Sequence, residues 1–349
     1  MLLKYFVTNK WFPHMEAEIY STDGISGANA PITDIDALAL IPSSHNKMKL
    51  VLGDCKTLQK QSPITRAFWM SGVMNWLKAE KGFIVLSKKI EQDHKLAASK
   101  INVSLLSETD FNTYASSTNP NYKVVNSAIL SLDCWDEYLN LGKKYPNLKS
   151  TIDFVKNDFW NIEDYRAQLR HSLLKIREAK AELNPERKLH IALFADLIAL
   201  FSIALSSTVS EIFNQYLLPE SKEKLSEDLK VVIWGGIENY NYYNSLYTFV
   251  KNSNDSDLRL PEWDAFIQLT RQCLEQPYAI SNVPLIMREI AFEFINESSS
   301  DWQFSKQLAK SNLQSAKFAL LITEYICKAT KVPVEFKELL VNRLLSIQM

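Results

Sequence analysis

Two short apolar runs carry the residues that could do chemistry. The first is Thr33-Asp34-Ile35-Asp36-Ala37-Leu38-Ala39-Leu40. The second, after a polar turn from Pro42 to Lys47, is Lys49-Leu50-Val51-Leu52-Gly53-Asp54-Cys55-Lys56. Each reads as a β-strand with acids at one end. Side chains alternate across a strand, so Asp54 and Lys56 project together while Cys55 points the other way, its thiol expected in the core. A hairpin turned at residues 43–47 brings the start of the first strand beside the end of the second and sets Asp36 opposite Asp54 and Lys56. Two carboxylates at that range repel, and the usual resolutions are a shared proton or a bound cation. A hard divalent ion fits. Mg²⁺, with Mn²⁺ as the alternative, takes one or two carboxylates together with water and phosphate oxygens, polarises phosphorus and acidifies a bound water. The adjacent lysine would orient the attacking water and stabilise the negative charge that builds on phosphorus. The expected metal set is Asp36, Asp54 and the carbonyl of Cys55. Asp34 shares the face of Asp36 and is the alternative ligand, with Asp36 preferred because it lies deeper, between Ile35 and Leu38. The plain alternative for the whole set is an ion-pair cluster at a strand end.

These residues need a sheet to hold them. Strands are expected at about 12–20, 33–41, 49–56, 83–87 and 103–106, from short runs with period-two alternation. Between the later strands the pattern turns helical. Ser62-Pro63 reads as an N-cap with proline at the first helical position, opening a helix through Trp69, Val73 and Trp76 to about Glu80, with Gly82 expected to end it as a residue tolerant of positive φ. Further helices are expected over about 92–100 and from Thr109. Five of the eight glycines precede residue 83, and the turn-forming cluster Ser116-Ser117-Thr118-Asn119-Pro120-Asn121 marks a boundary. An α/β domain over 1–118 is therefore followed by an all-α domain over 119–349. In the latter, Pro185, Pro219, Pro261, Pro277, Pro284 and Pro333 punctuate a series of about ten helices, among them 186–216, 238–252 and a single long helix over 303–328.

The order strand, Asp36 strand, Asp54-x-Lys56 strand, helix, strand, helix resembles the PD-(D/E)XK nuclease superfamily and its restriction-endonuclease-like fold, over about residues 10–115, a third of the chain. The resemblance implies a central mixed sheet flanked by helices, Asp36 and Asp54 as metal ligands, Lys56 as the catalytic lysine, and Mg²⁺-dependent hydrolysis of phosphodiester bonds in DNA, in restriction or phage defence. Thr33 or Ile32 stands where the superfamily's name has proline. Members often carry a glutamate on a first helix, and Met1–Lys10 contains no acid; Glu16 or Glu18 on the first strand is the candidate replacement. Lys60 and Arg66, after the motif, are candidates to contact the phosphates of a scissile strand. Lys88, Lys89, Lys95 and Lys100 form a looser basic set. The missing helical acid favours a second reading, in which a catalytically weak or inactive nuclease-like scaffold serves as a subunit of a multiprotein complex. In either case the helical domain would recognise substrate, pair with a second copy or bind a partner protein.

Composition bounds these readings. The chain has 349 residues with 46% hydrophobic, which excludes a disordered or low-complexity protein. Its 39 basic and 40 acidic residues exclude tight, purely electrostatic binding of nucleic acid. Residues 1–120 carry 13 Lys and Arg against 11 Asp and Glu, a balance of +2, and the remainder 26 against 29, a balance of −3. Cysteines at 55, 134, 273 and 327 form neither a zinc ribbon nor a disulfide framework, and the five histidines have no ligand spacing. No signal peptide is read at the start. The apolar run Ile191–Leu205 is shorter than a bilayer span and carries Asp196, so a cytoplasmic protein with no membrane span is expected. The tyrosine-rich stretch Asn239–Phe249 is aromatic enough for base stacking, but Tyr243, Tyr247 and Val250 at helical spacing read more simply as a packing stripe.

Overall fold

The computed structural model describes residues 1–21, 30–43, 47–56, 62–251, 257–296 and 303–348. Lys60 and its neighbours Gln59 and Gln61 lie outside the described residues, as does His45. The chain divides into two compact units. The first comprises Met1–Pro42, Met48–Asn140 and Ile152–Glu163, and the second Ser43–Lys47, Leu141–Thr151 and Asp164–Met349.

The first unit is a five-stranded mixed sheet covered on both faces. Its elements are α1 (Leu2–Thr8), β1 (Phe12–Ser21), β2 (Ala30–Ile41), β3 (Lys49–Lys56), α2 (Pro63–Leu77), β4 (Lys81–Leu86), α3 (Gln92–Ser99), β5 (Val103–Ser107) and α4 (Glu108–Thr118). The sheet order is β1-β2-β3-β4-β5. The first three strands pair antiparallel, and β3, β4 and β5 pair parallel through helical crossovers. Parallel strands buried on both faces read as continuous apolar runs, and Phe83-Ile84-Val85-Leu86 is buried throughout. On one face Leu38, Leu52, Ile84 and Leu86 pack with Met70, Val73 and Met74 of α2 and Ala98 of α3. On the other, Ala37, Ala39, Val51, Phe83 and Val85 meet Tyr5 and Phe6 of α1 and Phe111 of α4. Each large side chain so buried contributes roughly 1.5–3 kcal/mol.

Local chemistry sets the element ends. Pro63 occupies the first turn of α2 and Ser62 its N-cap position, as expected, although the Ser62 hydroxyl makes no capping hydrogen bond. The helix ends at Lys78, which adopts the left-handed conformation (φ 56°). Gly82 is therefore not the cap; it belongs to β4. A Cβ there would lie 2.6 Å from Met70 Cγ and 2.8 Å from Met74 Sδ, so Gly82 lets α2 approach the sheet closely. Gly53 does the same for α1, with Leu2 Cδ1 only 2.7 Å from where a Cβ would be.

The outer edge of β1 is closed by residues 154–161, which follow α5 (Leu132–Leu139) and three short helical segments. Asn157 Oδ1 accepts from the Glu18 amide at 3.0 Å, Asn161 Oδ1 from the Tyr20 amide at 3.0 Å, and Asn161 Nδ2 donates to the Glu18 carbonyl at 2.8 Å. Side-chain amides thus satisfy strand groups that would otherwise template pairing with another chain. His14 is buried beneath this segment, stacked on Trp160 with its Nε2 2.9 Å from the Lys156 carbonyl oxygen. The boundary expected at residue 118 falls inside this unit. Asn119 Nδ2 donates to the Thr8 carbonyl at 3.2 Å and Tyr122 is buried against α1 and α4, so the turn-rich stretch is tied to the sheet domain.

The second unit is helical. Its centre is the 29-residue helix Lys188–Tyr216, buried almost continuously from Leu189 to Val209. This helix is long and apolar enough to cross a membrane, yet its apolar window is wholly covered by protein. Asp196, in its middle, is held by the guanidinium of Arg288 on the helix Val283–Ile295, Nε to Oδ1 at 2.6 Å and Nη2 to Oδ2 at 2.9 Å, both side chains fully buried. The single helix expected over 303–328 is two, Gln303–Ser311 and Leu313–Thr330. Asn312 breaks it, its side chain accepting the Ser315 amide as an N-cap.

Candidate active site

The β2/β3 register runs from Ile41↔Lys49 to Ala37↔Gly53. Past that point β2 stays with β1, through Ala17↔Ile35, and β3 stays with β4, through Cys55↔Val85 and Lys56↔Leu86. The sheet forks, and the candidate residues stand in the fork. Asp36 Oδ2 accepts the Cys55 amide at 2.8 Å, so a β2 side chain replaces a β2 carbonyl where the ladder ends. Asp36 Oδ1 lies 3.0 Å from Lys56 Nζ. The same ammonium is 3.9 Å from Asp54 Oδ1. Asp36 and Lys56 are half-buried, and Asp54 is buried.

Arg66, on the first turns of α2, grips both oxygens of the buried Asp54: Nε to Oδ2 at 2.9 Å and Nη2 to Oδ1 at 2.7 Å. Such a fork is the strongest form of this contact and fixes the carboxylate plane. The guanidinium lies flat over Trp69, one turn along, 3.4 Å from the ring centroid. Two acids and two bases thus cancel. Burial works against the charge on Lys56, but the hydrogen bond to Asp36 and the fields of Asp36, Asp54 and Asp34 hold its ammonium above its ordinary value. Cys55 reaches solvent and is not a core residue. Close packing around its sulfur pushes the thiol up to about 11, the nearby Met1 ammonium opposing and Asp36 and Asp54 adding to the shift. Near neutrality it is no nucleophile.

The remaining expected residues stand further off. Asp34 is exposed, one step out along β2 and opposite Glu18. It reaches Lys56 only through its field, so Asp36 rather than Asp34 makes the contacts to β3. Glu16 is exposed and adopts the left-handed conformation (φ 55°), at the point where the β1/β2 register passes from Met15↔Ala37 to Ala17↔Ile35, across from Asp36. Glu18 is exposed beyond it. α1 carries no acid. Among the described residues no group of three or more His, Cys, Asp and Glu side chains is gathered for a metal. Of the looser basic set, Lys95 is paired with Asp110 at 2.6 Å. What the sequence did not announce is the partner of Asp54. Arg66 was expected to face a phosphate, and its only local signal was the i, i+3 spacing to Trp69 on a helix started by Pro63.

The donor set is hard: two carboxylates and a backbone carbonyl, all oxygen, the chemistry that Mg²⁺ and Mn²⁺ take. Each carboxylate oxygen has two acceptor positions, so the Arg66 fork and the bonds to Asp36 leave lone pairs free for a cation. Comparison of the chain with protein-family models, with curated proteins and with solved structures returns no match.

Proposed function

We propose that the first unit is a metal-dependent nuclease that hydrolyses phosphodiester bonds in DNA, with Asp36, Asp54 and Lys56 as its site. The observation that carries the reading is the position of one ammonium between two carboxylates, 3.0 Å from Asp36 and 3.9 Å from Asp54, at the fork of a mixed sheet. Lys56 and Arg66 already balance the two acids, and a divalent ion would join them through the lone pairs that remain. The order of β2, β3 and α2 to α4 around that point supports a restriction-endonuclease-like assignment within the PD-(D/E)XK superfamily, and with it a part in restriction or phage defence.

Asp36, Asp54 and the Cys55 carbonyl would hold Mg²⁺ or Mn²⁺, which when bound supplies Lewis acidity at the phosphoryl oxygen and an acidified water. Lys56, released from Asp36, orients the attacking water and stabilises the charge that grows on phosphorus. Water adds to phosphorus, the P–O bond to the sugar breaks, and the departing oxygen takes up a proton. Arg66 fixes the orientation of the Asp54 carboxylate. A second reading has one observation in its favour: both Asp54 oxygens are engaged and the four charges cancel, as in a closed structural cluster of a nuclease-like scaffold within a larger complex.

Titration calorimetry with Mn²⁺ separates the two. The nuclease reading expects the ion to bind the full chain and binding to be lost in Asp36→Asn, whose amide still accepts from Cys55. Absence of binding by the wild-type chain, together with no cleavage of duplex or single-stranded DNA, supports the scaffold.

A further inference from the structure

The helix Ile237–Lys251 of the second unit has no buried residue, and its amphipathicity is inverted. The side it turns to its own unit is polar. Tyr240, Asn244, Tyr247 and Thr248 are half-buried there; Asn244 Oδ1 accepts from the Leu258 amide at 2.7 Å, and Tyr240 donates to Asp257. The outer side is apolar: Tyr242 is 61% exposed, Tyr243 45%, Leu246 47%, Phe249 80% and Val250 76%. The packing stripe expected from Tyr243, Tyr247 and Val250 is therefore not a core stripe: none of the three is buried, although the Tyr243 ring lies 5.9 Å from that of Trp234 in its own unit and Tyr247 is half-buried. At about 100° per residue the five outward side chains occupy an arc of about 120°, the width that ordinarily faces a core. Taking about 150–250 Å² for a whole aromatic side chain, they expose roughly 600 Å². That equals the upper end of the largest patch on a typical monomer, about 300–600 Å². Two such faces together would bury about 1,200 Å², the lower end of a specific, stable interface.

We propose that this face is where a second copy of the chain docks, helix against antiparallel helix, about a two-fold axis passing near Leu246. The face is self-complementary, as a two-fold contact requires. Centred on Leu246, Tyr242 meets Val250 of the second copy, Tyr243 meets Phe249, and Leu246 meets its own image. The spacing of three and four along Asn239, Tyr242, Leu246 and Phe249 suits a seam crossing at about 20°. Glu238 opens the helix and Lys251 closes it. The antiparallel arrangement opposes the two helix dipoles. A nucleic acid is the poorer occupant, because Lys251 is the helix's one cation and is balanced by Glu238, whereas a strand-binding platform needs a positive track for phosphates. The inference stands apart from the hydrolase reading, and its test reads mass rather than activity.

The test is sedimentation equilibrium of the full chain from about 1 to 100 μM, the range in which weaker interfaces of this size dissociate. The wild-type mass should rise from the 40.1 kDa of one chain towards twice that. Leu246→Glu sets a charge against its own image and should raise the dissociation constant at least tenfold. Val334→Glu, at another exposed apolar position, should leave it unchanged. Tyr242→Lys should weaken the dimer and the added Val250→Glu, its partner across the seam, restore it, a charge-pair readout that survives any misfolding of the Leu246 variant. A chain that stays at one-chain mass throughout overturns the proposal. So does a dimer indifferent to Leu246→Glu, or a monomer that binds single-stranded oligonucleotide through Phe249.

Discussion

Arg66→Ala removes the one group that grips both oxygens of the buried Asp54. Breaking a buried pair from one side costs about 3–5 kcal/mol, because a charge is left without compensation. Lys56, 3.9 Å away, remains as a partial partner, which places the expected loss near the lower figure, about 3 kcal/mol at neutral pH. Because the chain has two units and need not unfold in one step, the readout is amide hydrogen exchange of β4, whose buried amides report opening of the first unit. If Asp54 is a metal ligand, Mg²⁺ at a hundred times its dissociation constant returns about 2.7 kcal/mol to the variant. Adding Asp54→Asn to Arg66→Ala should recover part of the loss. A loss under about 1 kcal/mol refutes the reasoning, since Asp54 would then not depend on the fork.

Other consequences are as direct. Gly82→Ala should cost the first unit about 1–3 kcal/mol, since its Cβ collides with Met70 and Met74, and should leave the melting of the second unit unchanged. In the second unit, burial first and the neighbouring Glu289 next push Glu293 up to about 8 against the pull of Arg343. Its folded value exceeds the unfolded one, so the stability it contributes is complete in acid and declines as pH rises towards 8. Thermal melts by circular dichroism from pH 5 to 8 should fall along that slope, and Glu293→Gln, which keeps an acceptor for Arg343 Nη2, should flatten it.

Much of this fold is written locally in the chain. Pro63 at the head of α2 and Asn312 between two helices state their roles through their own backbone chemistry, although Asn312 was passed over because the apolar period continues through it. The convergence of Asp36, Asp54 and Lys56 was legible because a hairpin and period-two alternation suffice to place them. The Arg66 fork was not, because it depends on how α2 lies over the strand end, a close approach that Gly82 permits beneath Met70 and Met74. Gly82 itself was misread because a glycine after a helix and a glycine under one look alike in sequence. The asparagines that close β1 lie some 140 residues beyond it, where no local pattern reveals them. The outward face of Ile237–Lys251 misled for the opposite reason: its period is that of a packed helix, and only the fold shows which side its own unit takes.

The central claim is that the fork between β2 and β3 is a hydrolytic site, and cleavage by a Lys56→Met variant tests it most directly. Lys56 is half-exposed, and without it Asp54 keeps its Arg66 fork and Asp36 its bond to Cys55, so the fold should persist. The account predicts that the wild-type chain cleaves DNA in Mg²⁺ or Mn²⁺ and not in EDTA. It predicts that the single-turnover rate falls by roughly 10²-fold or more in Lys56→Met, the loss expected for a group that stabilises transition-state charge. Cleavage by Lys56→Met at the wild-type rate, or none by the wild-type chain with either metal, would contradict it.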